Sequence, residues 1–218
     1  MDAILLAAGN SMRFGKNKLL YLLDGKPMYR YILELLYKQK QDKVLEHVIV
    51  VSQYDEIFAD IRANFPGVES VKNPAPDSGI SGSIRLGIEC LEQKRTAGDG
   101  KLPNKQQNAD LRQVYKMSEG CLFTVADQPC LSMESLVRLE QAWQESSCGI
   151  AGAAHGERIG NPVIFDARYY GELKQLAGDV GGKKVLRRHM DDMVLCEIPE
   201  RELEDMDTQD AVRKFGQI

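Results

Sequence analysis

Three short apolar runs, each stopped by a polar, turn-forming segment, do most to restrict the fold of this chain. Residues 3–8 (A-I-L-L-A-A) break at Gly9, residues 47–52 (H-V-I-V-V-S) give way to a helical pattern, and residues 121–126 (C-L-F-T-V-A) stop at Asp127-Gln128-Pro129. Runs of this kind, without polar alternation, read as strands buried on both faces of a helix-covered parallel sheet. Helical patterns at 27–40, 54–65, 78–93 and 133–145 fall between further strands at 68–72, 149–154, 162–165 and 194–198. A basic helix over 181–189 and a closing helix capped by Thr208 complete the pattern. Strands alternating with helices predict a single α/β domain over 1–218, in three α/β/α layers with a mainly parallel sheet.

The chain has 218 residues, 43% of them hydrophobic, which suffices for one substantial core. Its net charge is −4 and no lysine- or arginine-rich block occurs, which argues against a nucleic-acid partner. No segment reaches the roughly eighteen apolar residues of a membrane span, and the apolar opening run is too short for a secretory signal. The five cysteines, Cys90, Cys121, Cys130, Cys148 and Cys196, form no C-x-x-C pair. They point to reduced thiols, a cytoplasmic location and no zinc site. His47, His155 and His189 make no ligand motif. The polar stretch 94–118 reads as an exposed or disordered surface insertion.

After the first run comes a short cationic loop with Ser11, Arg13, Gly15, Lys16 and Lys18. A buried strand ending in such a loop presents backbone N–H groups and positive charge to phosphates. The Walker pattern requires four residues before its Gly-Lys pair, then Ser or Thr. Here five residues separate Gly9 from Gly15, and Asn17 follows Lys16. The dinucleotide fingerprint fails as well, because Ser11 stands where its second glycine belongs.

The pattern L-x-A-A-G-x-S-x-R-x-G-x-x-K, from Leu5 to Lys18, resembles the signature of nucleotidyltransferases that make sugar nucleotides and cofactor nucleotides. It is most similar to the molybdenum cofactor cytidylyltransferase branch. The resemblance implies a Rossmann-like domain and attack by an acceptor phosphate on the α-phosphorus of a nucleoside triphosphate. Leu6, Ala7, Ala8, Gly9, Ser11, Arg13 and Lys18 would bind the nucleotide. Arg13 and Lys18 would neutralise charge in the transition state, whereas Lys16 reads as a solvated lysine. Asn73, Gly79, Ser81, Gly82 and Ser83 match segments that line the base and ribose side. Ala7-Ala8-Gly9 favours CTP, since guanylyltransferase relatives carry Ala-Gly-Gly.

Asp127, in the D-Q-P triplet, is the expected ligand and catalytic carboxylate for Mg²⁺, an ion that binds through one or two carboxylates together with substrate phosphates. Asp207, in a D-x-D-T element, would be a second ligand. Asn161 and Pro162 would bind the acceptor; they stand where the family has His-Pro, so this chain offers no imidazole there. Gly178, Asp179, Gly181, Gly182 and Lys183 form a glycine-rich, cationic helix start suited to an acceptor's terminal phosphate. The acceptor would be molybdopterin, with a molybdenum hydroxylase apoenzyme as eventual recipient. Rival readings are a GTP-using or sugar-phosphate nucleotidyltransferase, and a non-catalytic protein that binds nucleotide and delivers cofactor.

Overall fold

The first apolar run becomes strand β1 (Asp2–Ala7), which lies inside a seven-stranded sheet. This computed structural model describes residues 1–10, 14, 17–98, 120–208 and 211–212. β1 pairs in parallel with β4 (Val48–Ser52) on one side and with β6 (Gly120–Val125) on the other. Ala3, Ile4 and Leu5 have no exposed surface, and so the run needs no polar alternation. Outside β4 lies β5 (Glu69–Lys72); outside β6 lie, in turn, β8 (Arg158–Asp166), β7 (Ile150–His155) and β9 (Met193–Glu197). Of these strands only β8 is antiparallel to its neighbours.

Side chains alternate between two cores, one on each face. Ala3, Leu5 and Ala7 face α1 (Met28–Gln41), α2 (Asp55–Asn64) and α4 (Met133–Glu145). Ile4, Ile49 and Phe123 face α3 (Ile80–Gly98), α5 (Tyr170–Lys174) and α6 (Lys183–Arg188). On α1 the buried positions Tyr29, Ile32, Leu33 and Leu36 recur at helical spacing. Full burial of each aliphatic side chain there contributes about 1.5–3 kcal/mol. Ser132 caps α4 by accepting a bond from the Ser135 N–H at 3.1 Å. Asp24 and Gly25 join β2 (Leu22–Leu23) to β3 (Lys26–Pro27), both at positive φ as a type I′ hairpin turn requires.

One boundary differs from expectation. Residues 94–98 belong to α3 and not to a surface excursion. Apolar spacing fades there, but polar anchors hold the last turns: Lys94 bonds Glu69 at 2.6 Å, and Arg95 reaches Asp2 at 2.5 Å. Residues 99–119 lie outside the described residues. None of the five cysteines forms a disulfide. Among the described residues, no helix is long and apolar enough to cross a membrane.

The chain winds away from β1 through β4 and β5, then crosses to the other side of β1 at β6. Strand order therefore reverses between β1 and β6. In open α/β sheets, ligands bind at such a reversal, beyond the carboxyl ends of the strands.

Candidate active site

A cavity of about 430 Å³ lies at that reversal. β1 and its loop supply Leu6, Ala8, Gly9 and Asn10; the end of β6 supplies Val125, Ala126 and Asp127. Lys18 and Leu19 enter from a short 3₁₀ turn, Lys18–Leu20, whose N-cap Asn17 accepts a bond from the Leu19 N–H at 3.0 Å. Pro76, Asp77, Gly79, Ile80 and Ser83 form the wall at the start of α3, and Asp179 completes the rim.

The densest chemistry is centred on Lys18. Its Nζ donates to Asp127 Oδ2 and to Asp207 Oδ1, both at 2.6 Å. The Lys18 side chain is only 9% exposed, against 21% for Asp127 and 41% for Asp207. Burial opposes the charge on Lys18, but the two carboxylates outweigh it and hold its pKa above the ordinary lysine value. Lys18 is therefore a fixed cation at neutral pH, pinned by two bonds. Asp205 nearby has its pKa raised by burial and by the charge of Asp127.

Residues far apart in sequence meet here because the segment carrying Asp207 is tied to the end of β6. The Met206 N–H donates to the Asp127 carbonyl at 2.8 Å. Buried Gln128 donates through Nε2 to Asp205 Oδ1 at 2.8 Å and to the Leu203 carbonyl at 3.3 Å. Met206 packs with Phe14, Leu23, Met28 and Val212 in a small third core under the same corner.

The donor set suits a hard divalent cation. Two carboxylates converge on one point, Lys18 engages one oxygen of each, and the three groups carry a formal charge of −1 before substrate binds. Asp127 and Asp207 are the residues that would hold it.

Of the candidates from sequence, Leu6, Ala8, Gly9, Lys18, Gly79, Ser83, Asp127 and Asp179 line the cavity, with Asp207 bonded to Lys18 beside it. Ser11, Arg13 and Lys16 lie outside the described residues. The Ala7 side chain is buried in the sheet core instead. Asn73 is also buried, where it braces the turn before α3 through Ser83 Oγ at 3.0 Å and the Ala75 N–H at 2.9 Å. Ser81 and Gly82 fall outside the lining; the Ser81 hydroxyl donates to the Gly178 carbonyl at 2.7 Å. Asn161, Pro162, Gly178, Gly181, Gly182 and Lys183 do not line the cavity either. Phe123 opposite Val163 sets Asn161-Pro162 beside the carboxyl end of β6, and Gly178 lies directly against Gly79. Side-chain roles for Asn10, Asp77, Ile80 and Gln128 were not assigned from the sequence; Asn10, Ile80 and Gln128 lie inside recognised motifs and Asp77 adjoins one, which was the signal available.

Several known proteins are similar to this chain in sequence or in fold. The chain is 27% identical over 187 residues to the purine catabolism protein PucB of Bacillus subtilis, covering 84% of this chain and 79% of that one. It is 29% identical over 84 residues to a probable molybdenum cofactor guanylyltransferase of Thermococcus sibiricus, covering 38% of this chain and 42% of that one. It spans only 22% of the bifunctional protein GlmU of Campylobacter fetus, at 30% identity over 99 residues, or 44% of this chain. Among solved structures, Rv0371c of Mycobacterium tuberculosis superposes with a TM-score of 0.72 at 18% identity, covering all of this chain and 97% of that one. The MobA-like NTP transferase domain matches residues 3–193, and the chain belongs to that family of nucleotidyltransferases.

Proposed function

We propose that this nucleotidyltransferase moves CMP from CTP to the terminal phosphate of a molybdopterin acceptor, with pyrophosphate leaving. The observation that carries the reading is Lys18 fixed between Asp127 and Asp207 at the strand-order reversal, beside the β1 loop. The acceptor phosphate is already ionised, so no side-chain nucleophile is required. What the protein must supply is alignment and positive charge where the transition state is most anionic. Lys18, held rigidly and desolvated, is placed to do this without reorganisation. A Mg²⁺ ion on the carboxylates would offset charge on the triphosphate and the leaving pyrophosphate. Asp179 would face the acceptor side of the cavity.

The choice of CTP rests on Ala7-Ala8-Gly9, and that of molybdopterin on likeness to the molybdenum cofactor enzymes. A guanylyltransferase is the second reading, favoured by the Thermococcus relative's description. Pyrophosphate release should be measured with each of the four triphosphates, Mg²⁺ and molybdopterin. Release with CTP is expected. Turnover with GTP alone would reverse the choice of base, and no release with any triphosphate would remove molybdopterin as the acceptor. Asp127→Asn should lower kcat at least a hundredfold, on the order seen when one transition-state interaction is lost. Unchanged turnover in that variant would take Asp127 out of the reaction.

A further inference from the structure

β1 and β4 run parallel in a register that sets Ala7 opposite Ser52. Backbone pairing ends there, yet the bonding continues through side chains. Ser52 Oγ donates to the Ala7 carbonyl at 2.9 Å, Gln53 Nε2 to the Ala8 carbonyl at 2.9 Å, and Tyr54 Oη to the Gly9 carbonyl at 2.7 Å. Three consecutive carbonyls of the β1 loop are thus drawn to three consecutive side chains at the end of β4.

In a planar trans peptide, the C=O and the N–H that follows it point in opposite directions. The N–H groups of Ala8, Gly9 and Asn10 therefore point away from β4, to the side where β6 borders the cavity. Consecutive N–H groups aimed the same way form a concavity for anions. Among the described residues, a Cβ built on Gly9 would meet nothing within 4 Å, which leaves this edge of the cavity open for a phosphate. Gln53 Nε2 also donates to Asn10 Oδ1 at 2.8 Å, and Asn10 Nδ2 reaches Asp77 Oδ1 at 2.5 Å, extending the brace to the opposite wall.

We propose that Ser52, Gln53 and Tyr54 are positioning residues for the substrate triphosphate: by holding the carbonyls of Ala7, Ala8 and Gly9 outward, they fix the N–H groups behind them as its cradle. The inference rests on the β1 loop being the triphosphate site, and it is independent of the base and the acceptor. Inorganic tripolyphosphate is the probe, titrated calorimetrically into the intact protein and its Tyr54→Phe and Gln53→Leu variants. Tyr54→Phe removes one hydroxyl and no packing, so it guards against a variant that fails to fold. Each substitution should weaken tripolyphosphate about three- to tenfold, the worth of one hydrogen bond. With the full triphosphate, KM should rise by the same factor while kcat stays within about twofold. A purely structural brace would lower the melting temperature and leave affinity untouched.

Equal affinity in the wild type and both variants would overturn the inference, as would a fall in kcat at constant KM. Failure of the wild type to bind tripolyphosphate would overturn it together with the loop's role. Binding without transfer to molybdopterin would count only against the proposed acceptor.

Discussion

Gln39 and Glu140 show how one buried pair can give a chain a pH response. Gln39 Nε2 donates to Glu140 Oε1 at 2.6 Å between α1 and α4, with both residues in the core. Burial raises the Glu140 pKa to about 7, against a smaller opposing effect of the Gln39 bond. Among the described residues, Gln39 Oε1 is buried without a partner, and an ionised Glu140 has no proton to offer it. The folded state thus binds this proton more tightly than the unfolded chain. The resulting stability is complete below pH 4.5 and is lost as pH rises through about 7, by on the order of 3 kcal/mol. Glu140→Gln offers an amide donor at every pH. It should flatten the melting-temperature profile between pH 5.5 and 8.5 and stabilise the protein at the alkaline end. Parallel profiles for the two proteins would show that Glu140 is ionised in the fold. None of this was legible in the sequence, because a glutamate on an amphipathic helix reads as solvent-facing until its rotation about the helix axis is known.

Elements themselves were legible where burial and periodicity agree. β1, β4, β6 and α4 follow their sequence patterns closely because strands buried on both faces, and a helix with a Ser132 cap, carry strong local signals. α3 was cut short because its final turns depend on Lys94 and Arg95, whose partners lie on distant strands. Contacts between loops were equally hidden. Gly79 has φ of +84°, and a Cβ there would come within 2.4 Å of the Gly178 backbone. Gly79→Ala therefore meets both backbone strain and a collision that no side-chain rotation relieves, worth about 1–3 kcal/mol for the strain alone. If the loops separate, the cavity wall formed by Gly79, Ile80 and Asp179 opens. The variant should melt a few degrees lower, and its KM for the acceptor should rise more than its KM for the triphosphate. Equal effects on both would mean that the contact serves the fold alone.

At the scale of the whole molecule, the sequence supplied motifs but not their arrangement. Asp127 comes just after β6, where the rule that ligands gather at the carboxyl ends of strands places it, whereas Asp207 lies ten residues beyond β9, past a 3₁₀ turn (Glu200–Leu203); that Lys18 sits between them depends on register and on the Gln128 clamp. The cavity draws on residues from Leu6 to Asp179, with Asp207 bonded at its border, so a ligand inside it joins segments from nearly the full length of the chain. Such a ligand binds the folded protein and finds no equivalent in the unfolded chain. At a concentration one hundred times its Kd it adds about 2.7 kcal/mol to stability. A domain of this size gains about 2–4 °C per kcal/mol, so the melting temperature should rise by roughly 5–10 °C with the true triphosphate and Mg²⁺. Lys18→Met leaves Asp127 and Asp207 as neighbouring carboxylates without their cation. Its own melting temperature should fall, and most of the ligand-induced rise should vanish, because two anions then face the triphosphate. If the rise survives in Lys18→Met, the ligand is held elsewhere on the sheet edge. A rise with tripolyphosphate as large as that with CTP would mean that the base adds little, and that the β1 loop does most of the binding.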